Sequence, residues 1–354
     1  GCLVADDARH EGYRQASARL SRLRAAYAKA FAPIMAAFKA AGGDVFETLL
    51  ARESLASGRW FLTRLREESL RTMDPELERL AADLSVDGIS AWGRLYDELS
   101  GRLEFELPGL ASPAGPAGSV EKGGSQAPAR RVPMAQKRML MEDPDPEVRR
   151  LTLEASNRAW ESVEHVAAAS LNAIAGTRLI LQQRRGWTDF LEEPFFDAAV
   201  RPTTIEAMWS AVRQGRELPW RYLTMKARLL GKARLGFQDL VCPLSGLSGA
   251  GAAPRTYPWE EGKTLVLDAF TARYPALGAF AAEMFDGRRV ESERRPGKRP
   301  GAFCTTSLKT RESRVFMTYG GGIGDVQTLA HELGHAFHGF TLRHERAMAA
   351  RYPM

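Results

Sequence analysis

The sequence predicts a mainly α fold with one short β segment set beside a histidine-bearing helix. Apolar residues recur at spacings of three and four through most of the 354 residues. Only "RVFMTY", at 314–319, both alternates and is rich in strand formers, and a glycine turn and a second amphipathic pattern follow it directly. At 44% hydrophobic, a chain of this length can bury a core or two. It starts at Gly1 and stops at Met354 inside a helical-looking pattern, so a piece of a longer protein, open at both ends, is expected.

Residues 11–40 carry Leu20, Leu23, Tyr27, Phe31, Ile34, Met35 and Phe38 as a core-facing stripe. Helices are expected near 58–72 and 75–100, the second opened by Asp74 as cap, Pro75 in the first turn and Glu76 against the dipole. Residues 1–107 therefore read as an N-terminal helical domain. The stretch 108–133, rich in Pro, Gly, Ser and Ala, reads as a linker or loose hairpin, and 134–354 as a second domain cut short at its C-terminus. "DPDPEVRR" at 143–150 starts what reads as one very long helix reaching about Arg185, with Val148, Leu151, Ala155, Ala159, Val163, Val166 and Ile174 in phase. Further helices are expected at 203–217, 258–272 and 274–286, and no fixed-period repeat is present.

Composition excludes some partners. No signal peptide and no apolar run of membrane-spanning length is evident, so no membrane partner is expected. Cys2, Cys242 and Cys304 are widely separated and odd in number, which fits a reduced, cytoplasmic setting. The net charge of +6 comes from basic residues scattered singly among 43 acids, not from a stripe, so no nucleic-acid partner is expected.

The segment "TLAHELGHAFHG", 328–339, follows "GGGIGD", with Asp325 where a helix N-cap should stand. On a wheel of 100° per residue with His331 at zero, His335 falls at about 40° and Glu332 at about 100°. The two imidazoles then lie one turn apart, about 6 Å along the axis, a span one zinc ion can bridge. Val326, Leu329, Ala330, Leu333, Phe337 and Phe340 fall on the opposite side. Thr328, Gly334 and Gly339 are small groups near the histidine side that leave room for another backbone, and Gly334 costs about 1 kcal/mol relative to alanine in mid-helix. His331 and His335 as ligands of one Zn²⁺, with Glu332 as general base for a metal-activated water, is the HExxH arrangement of zinc peptidases. By chance, HExxH arises in about one such chain in a hundred. His338 shares the face a turn further on and is assigned, with Asp325, to support of the ligands rather than to ligation. The metzincin pattern requires glycine at 338 and histidine at 341, where His338 and Thr341 stand.

These residues resemble the M3 oligopeptidases, and within them the oligoendopeptidase F branch. The likeness rests on "RPGAFCTTS" (299–307), "RVFMTYGGGIGDVQTLAHELGHAFHG" (314–339) and, more weakly, "LGFQDLVCPL" (235–244). The resemblance implies a helical zincin-type metallopeptidase with a short β-sheet beside the HExxH helix, cleaving internal bonds of short peptides. It also implies that Val315, Phe316, Met317, Thr318 and Tyr319, with Gly320 and Gly321 of the glycine loop, line the cleft and pair with substrate backbone. The family's third zinc ligand is a glutamate on a later helix, expected beyond Met354. The chain as it stands is thus expected to hold zinc weakly and not to turn over. Another gluzincin would share the helix but not "RPGAFCTTS". A catalytically inactive helical binding or scaffold protein would have no need to keep His331, Glu332 and His335 together.

Overall fold

The computed structural model describes residues 2–7, 9–108, 129–244, 255–295, 298 and 301–350, and helices dominate it. Helix α1 (Glu11–Ala40) carries the first stripe, of which Met35 is buried and Phe31 and Phe38 half-buried, while Leu20, Leu23, Tyr27 and Ile34 are exposed; Ala25 and Ala32 are buried as well. The helix packs against α3 (Pro75–Asp87). Helix α2 (Arg59–Ser69) also packs against α1, and its Leu62 and Leu65 are buried. At the start of α3, the Asp74 carboxylate accepts the Glu76 N–H at 3.0 Å, with Pro75 in the first turn.

After α4 (Ile89–Arg102), strand β1 (Glu104–Leu107) pairs antiparallel with β2 (Arg130–Pro133). The linker expected between them falls, over 109–128, outside the described residues. Phe105, Leu107 and Val132 of this ribbon pack on Leu140 of α5 (Lys137–Met141) and Val148 of α6 (Pro146–Glu161), forming a small core. The single long helix expected to reach Arg185 is in fact two, α6 and α7 (Glu164–Arg184). At the junction the Ser162 hydroxyl donates to the Ala159 carbonyl at 2.6 Å and the Val163 N–H bonds back only three residues, to Trp160. The side chain thus competes for a helix carbonyl and the tightened turn ends the run.

Helix α8 (Pro202–Gly215) follows, then α9 (Glu217–Leu229), which periodicity did not single out. The main core is built by α10 (Trp259–Arg273), α11 (Pro275–Asp286), a three-stranded sheet and α12 (Ile323–Thr341). The strands are β3 (Val290–Glu291), β4 (Phe303–Ser307) and β5 (Glu312–Phe316), in the order β3-β5-β4. β5 is the middle strand, parallel to β3 and antiparallel to β4. Its ladder stops at Phe316, short of the expected Tyr319, although the Met317 and Tyr319 N–H groups still reach the Glu291 and Ser292 carbonyls at 2.9 and 3.1 Å.

The chain forms two compact units. Gly1–His10, Glu98–Glu164 and Gln214–Thr341 make one, with both cores just described, and Glu11–Asp97, His165–Arg213 and Leu342–Met354 make the other. No helix among the described residues is long and apolar enough to cross a membrane.

Candidate metal centre

The turn into α12 is set by glycine. Gly321 has φ +88°, and a Cβ on it would come within 3.0 Å of Thr256 Cγ2 and 3.2 Å of the Tyr257 carbonyl. Its own carbonyl accepts the Tyr257 N–H at 2.9 Å, so only glycine gives both the dihedral and the close approach. Asp325 is not the N-cap that the sequence indicates. Because α12 begins at Ile323, Asp325 sits in its first turn, and Oδ2 reaches back to accept the N–H groups of Gly320 (2.8 Å) and Gly322 (3.1 Å). It holds the loop on the helix, as a carboxylate at the third helical position does in a capping box.

The back of α12 is anchored as the wheel requires. Val326, Leu329, Leu333 and Ala336 are buried, and Phe337 and Phe340 pack with Phe280 of α11. His331 and His335 remain exposed on the opposite face, their Nε2 atoms 3.1 Å apart and their rings nearly perpendicular at 87°. Two imidazole nitrogens, each about 2.0–2.1 Å from one tetrahedral zinc, are about 3.3 Å apart, so the pair fits as two of a zinc ion's ligands. Glu332 lies on the flank of that face and is only 7% exposed. Among the described residues no third His, Cys, Asp or Glu joins the two histidines. His338 is exposed in the last turn of α12.

The two glycines of the helix differ. A Cβ at Gly339 would lie 2.5 Å from Thr306 Oγ1 and 3.0 Å from Ser313 Oγ, so this glycine is where β4 and β5 lie against the helix. The two hydroxyls bond each other at 2.8 Å, and Ser313 also donates to the Ala336 carbonyl at 3.3 Å. A Cβ at Gly334 would meet nothing within 4 Å, so the room that the sequence suggested there is left unfilled by the described residues.

The sheet's hydrogen bonds show which backbone groups are committed. Val315, Met317 and Tyr319 donate their N–H groups to the β3 side, to Arg289, Glu291 and Ser292. By the alternation of an antiparallel pair, Phe316 and Thr318 then face the β4 side, and the backbone groups of Cys304 and Thr306 point away from β5, to the side of β4 on which no described strand pairs. One contributor escaped sequence reading. Lys298, 1% exposed, donates to Glu291 Oε1 (3.1 Å) and to the Glu293 and Met317 carbonyls (2.6 Å each), and its Nζ lies 4.7 Å from the Phe316 ring centroid. Burial pushes its ammonium below the usual lysine range, while Glu291 opposes the shift. Its one signal is a place in "RRPGKRPG", where neither periodicity nor charge pattern marks it out. Tyr319 donates to the Tyr257 carbonyl at 2.9 Å, and burial raises its phenol to about 12.

Comparison with known proteins bears on this arrangement. The model of Oligopeptidase F matches residues 38–105 and that of Peptidase family M3 matches 276–354, which includes α12. "Oligoendopeptidase F, chromosomal" of Lactococcus lactis subsp. cremoris is 24% identical over 61% of this chain and 35% of its own length. "Oligopeptidase PepF" of Bacillus subtilis is 19% identical over 57% of this chain and 29% of its own. Of solved structures, PZ peptidase A aligns over 96% of this chain and 55% of its own with TM-score 0.69 at 17% identity. Oligoendopeptidase-F from Enterococcus faecium aligns over 80% and 50% with TM-score 0.56 at 16% identity. The chain spans about a third of the length of the curated relatives it matches, and the structural likeness is one of fold.

Proposed function

We propose, for a chain that is M3 oligoendopeptidase F-like in sequence and fold, that the whole protein is a zinc-dependent endopeptidase hydrolysing internal bonds of short peptides. The observation that carries this reading is the pair of exposed Nε2 atoms of His331 and His335, 3.1 Å apart, with Glu332 at their flank. These two histidines would hold one Zn²⁺ per chain, with a third ligand that the resemblance places beyond Met354. When bound, zinc polarises the substrate carbonyl and lowers the pKa of water toward ~7.

Glu332 takes the proton of the attacking water and delivers it to the leaving amine, a role worth about 10²–10⁴-fold in rate. Its low exposure keeps bulk water from competing for that carboxylate. Asp325 keeps the glycine loop closed on the helix, and His338 supports the ligands from the last turn. Substrate backbone pairs with the outer edge of β4 at Thr306 and with Thr318 beyond the last ladder pair. Val315, Phe316, Met317 and Tyr319 hold the middle strand that this edge leans on, and Gly320 and Gly321 shape the floor of the turn. A cytoplasmic setting, supported by the three scattered cysteines, belongs to the same reading.

The test is metal analysis of the whole protein alongside hydrolysis of a quenched fluorescent peptide. About one zinc per chain is expected, with cleavage lost to a chelator and restored by zinc. An active protein that contains no zinc would sink the proposal.

A further inference from the structure

Beside the N-terminal half of α12 lies a cavity of about 640 Å³. Thr328, one turn before His331 and on the same side of the helix, belongs to its wall, so the cavity opens next to the candidate centre. Much of its wall is apolar: Met139 and Met141 from α5, Trp160 from α6, Met317 from the end of β5, and Phe237, Leu240 and Val241 from one loop.

That loop is held by a buried polar network. Asp239, fully buried, accepts from Lys232 (2.6 Å), Arg149 (3.2 Å) and the Gly236 N–H (3.0 Å). Lys226, also buried, donates to the Leu240 and Cys242 carbonyls at 2.8 Å each. The network fixes the backbone while leaving Phe237 and Val241 more than half exposed toward the cavity, an apolar wall built in advance of an occupant.

The polar groups of the cavity are unevenly satisfied. Of its acids, Asp325 is taken by the glycine loop and Glu142 lies 3.6 Å from Arg138. Of its cations, Arg294 donates to the Met139 sulfur at 3.0 Å, a weak acceptor. Lys137 is half-buried, has no hydrogen bond or ion pair to another described residue, and burial alone lowers its ammonium below the usual range. Thr318 Oγ1 is buried without a partner among the described residues. Two cations lacking an acid and a hydroxyl unpartnered among the described residues therefore line one largely apolar space. A carboxylate is the chemical group that answers all three.

We propose that this cavity seats a carboxylate of the peptide substrate together with the apolar residue that bears or neighbours it, with Lys137 and Arg294 as the counter-charge. The proposal rests on the peptide-cleaving reading of the neighbouring centre. The carboxylate has two sources, the C-terminus of a short peptide or an acidic side chain within a longer one.

The experiment measures binding, not turnover, on this chain and on its Lys137→Met and Lys137→Arg variants, each checked for folding by circular dichroism. Three matched phenylalanine-containing peptides serve as probes: one with a free C-terminal acid, its C-terminal amide, and an amide with one internal glutamate. The free acid is expected to bind about tenfold more tightly than its amide if the terminus is read, and the glutamate amide more tightly than the plain amide if a side chain is read. Lys137→Met should abolish the preference and Lys137→Arg should keep it. Equal dissociation constants for all three peptides, a preference that survives Lys137→Met, or no binding of any probe overturns the proposal. Hydrolysis by the whole protein separates the two claims. Cleavage with a KM indifferent to Lys137 sinks this inference alone, and Lys137-dependent binding without cleavage sinks the peptidase reading alone.

Discussion

Alanine placed at Gly334 and at Gly339 should move the stability of this chain in opposite directions. Both positions lie inside α12, so each substitution gains the same helix propensity, about 1 kcal/mol. At Gly334 no described residue lies within 4 Å of the new methyl group, and that gain stands alone. At Gly339 the methyl group falls 2.5 Å from Thr306 Oγ1 and 3.0 Å from both Ser313 Oγ and Thr306 Cγ2, which forces the two hydroxyls and their strands to shift. Overpacking of that kind costs about 1–3 kcal/mol. The propensity cancels in the difference between the variants, so Gly334→Ala should be more stable than Gly339→Ala by about 1–3 kcal/mol. Urea denaturation followed by circular dichroism reads this as a shift in midpoint at unchanged slope. Midpoints that agree within error, or the reverse order, would refute the packing of β4 and β5 on the helix.

Five further substitutions test the site and its surroundings. In the whole protein, Glu332→Gln should keep zinc and lose about 10²–10⁴-fold in kcat, while His335→Ala should lose both; a Glu332→Gln enzyme with near-normal kcat would move the general base elsewhere. Thr318→Pro should raise KM with zinc retained, because its donor faces the β4 side past the last ladder pair, whereas Met317→Pro forfeits the bond to Glu291 and should loosen the sheet itself; identical behaviour of the two would reject the alternation. For Glu78, burial raises the carboxyl, but hydrogen bonds from Arg185 and the Met73 N–H, with the charge of Arg185, outweigh it and hold the group below its ordinary 4.5. The unfolded chain then binds more protons, so this contribution is full above about pH 4.5 and is lost as pH falls through the folded value. Glu78→Gln should lower stability at neutral pH and flatten its fall on acidification, and an unchanged acid limb would exclude Glu78 as a source of it.

What the sequence made legible was whatever depends on short range. The wheel of α12 needs only neighbours three and four residues apart, and it placed the buried back, the exposed histidines and the flank position of Glu332 where they are found. The Asp74 cap and the glycine turn at Gly321 are likewise local decisions of two to four residues. The stripe of α1 is only partly the buried face, because periodicity identifies apolar residues without knowing their partner. Met35 is buried with Ala25 and Ala32 while Leu23 and Ile34 are exposed, a choice among apolar positions that local spacing does not make.

Long-range partners account for the rest. Arg149 and Asp239 lie 90 residues apart, and Lys298 reaches Met317 across 19, so nothing in either local pattern shows that these charges are buried or what holds them. A lone lysine or arginine reads as a solvated residue until the carbonyl or carboxylate it serves is known. The middle place of β5 was hidden for the same reason. An alternating run shows that a strand has two faces but not which of its edges are taken, and with β3 on one side and β4 on the other the free backbone passes to β4. "RPGAFCTTS", from which β4 is drawn, therefore supplies an outer strand of the sheet for a structural reason that its composition does not express.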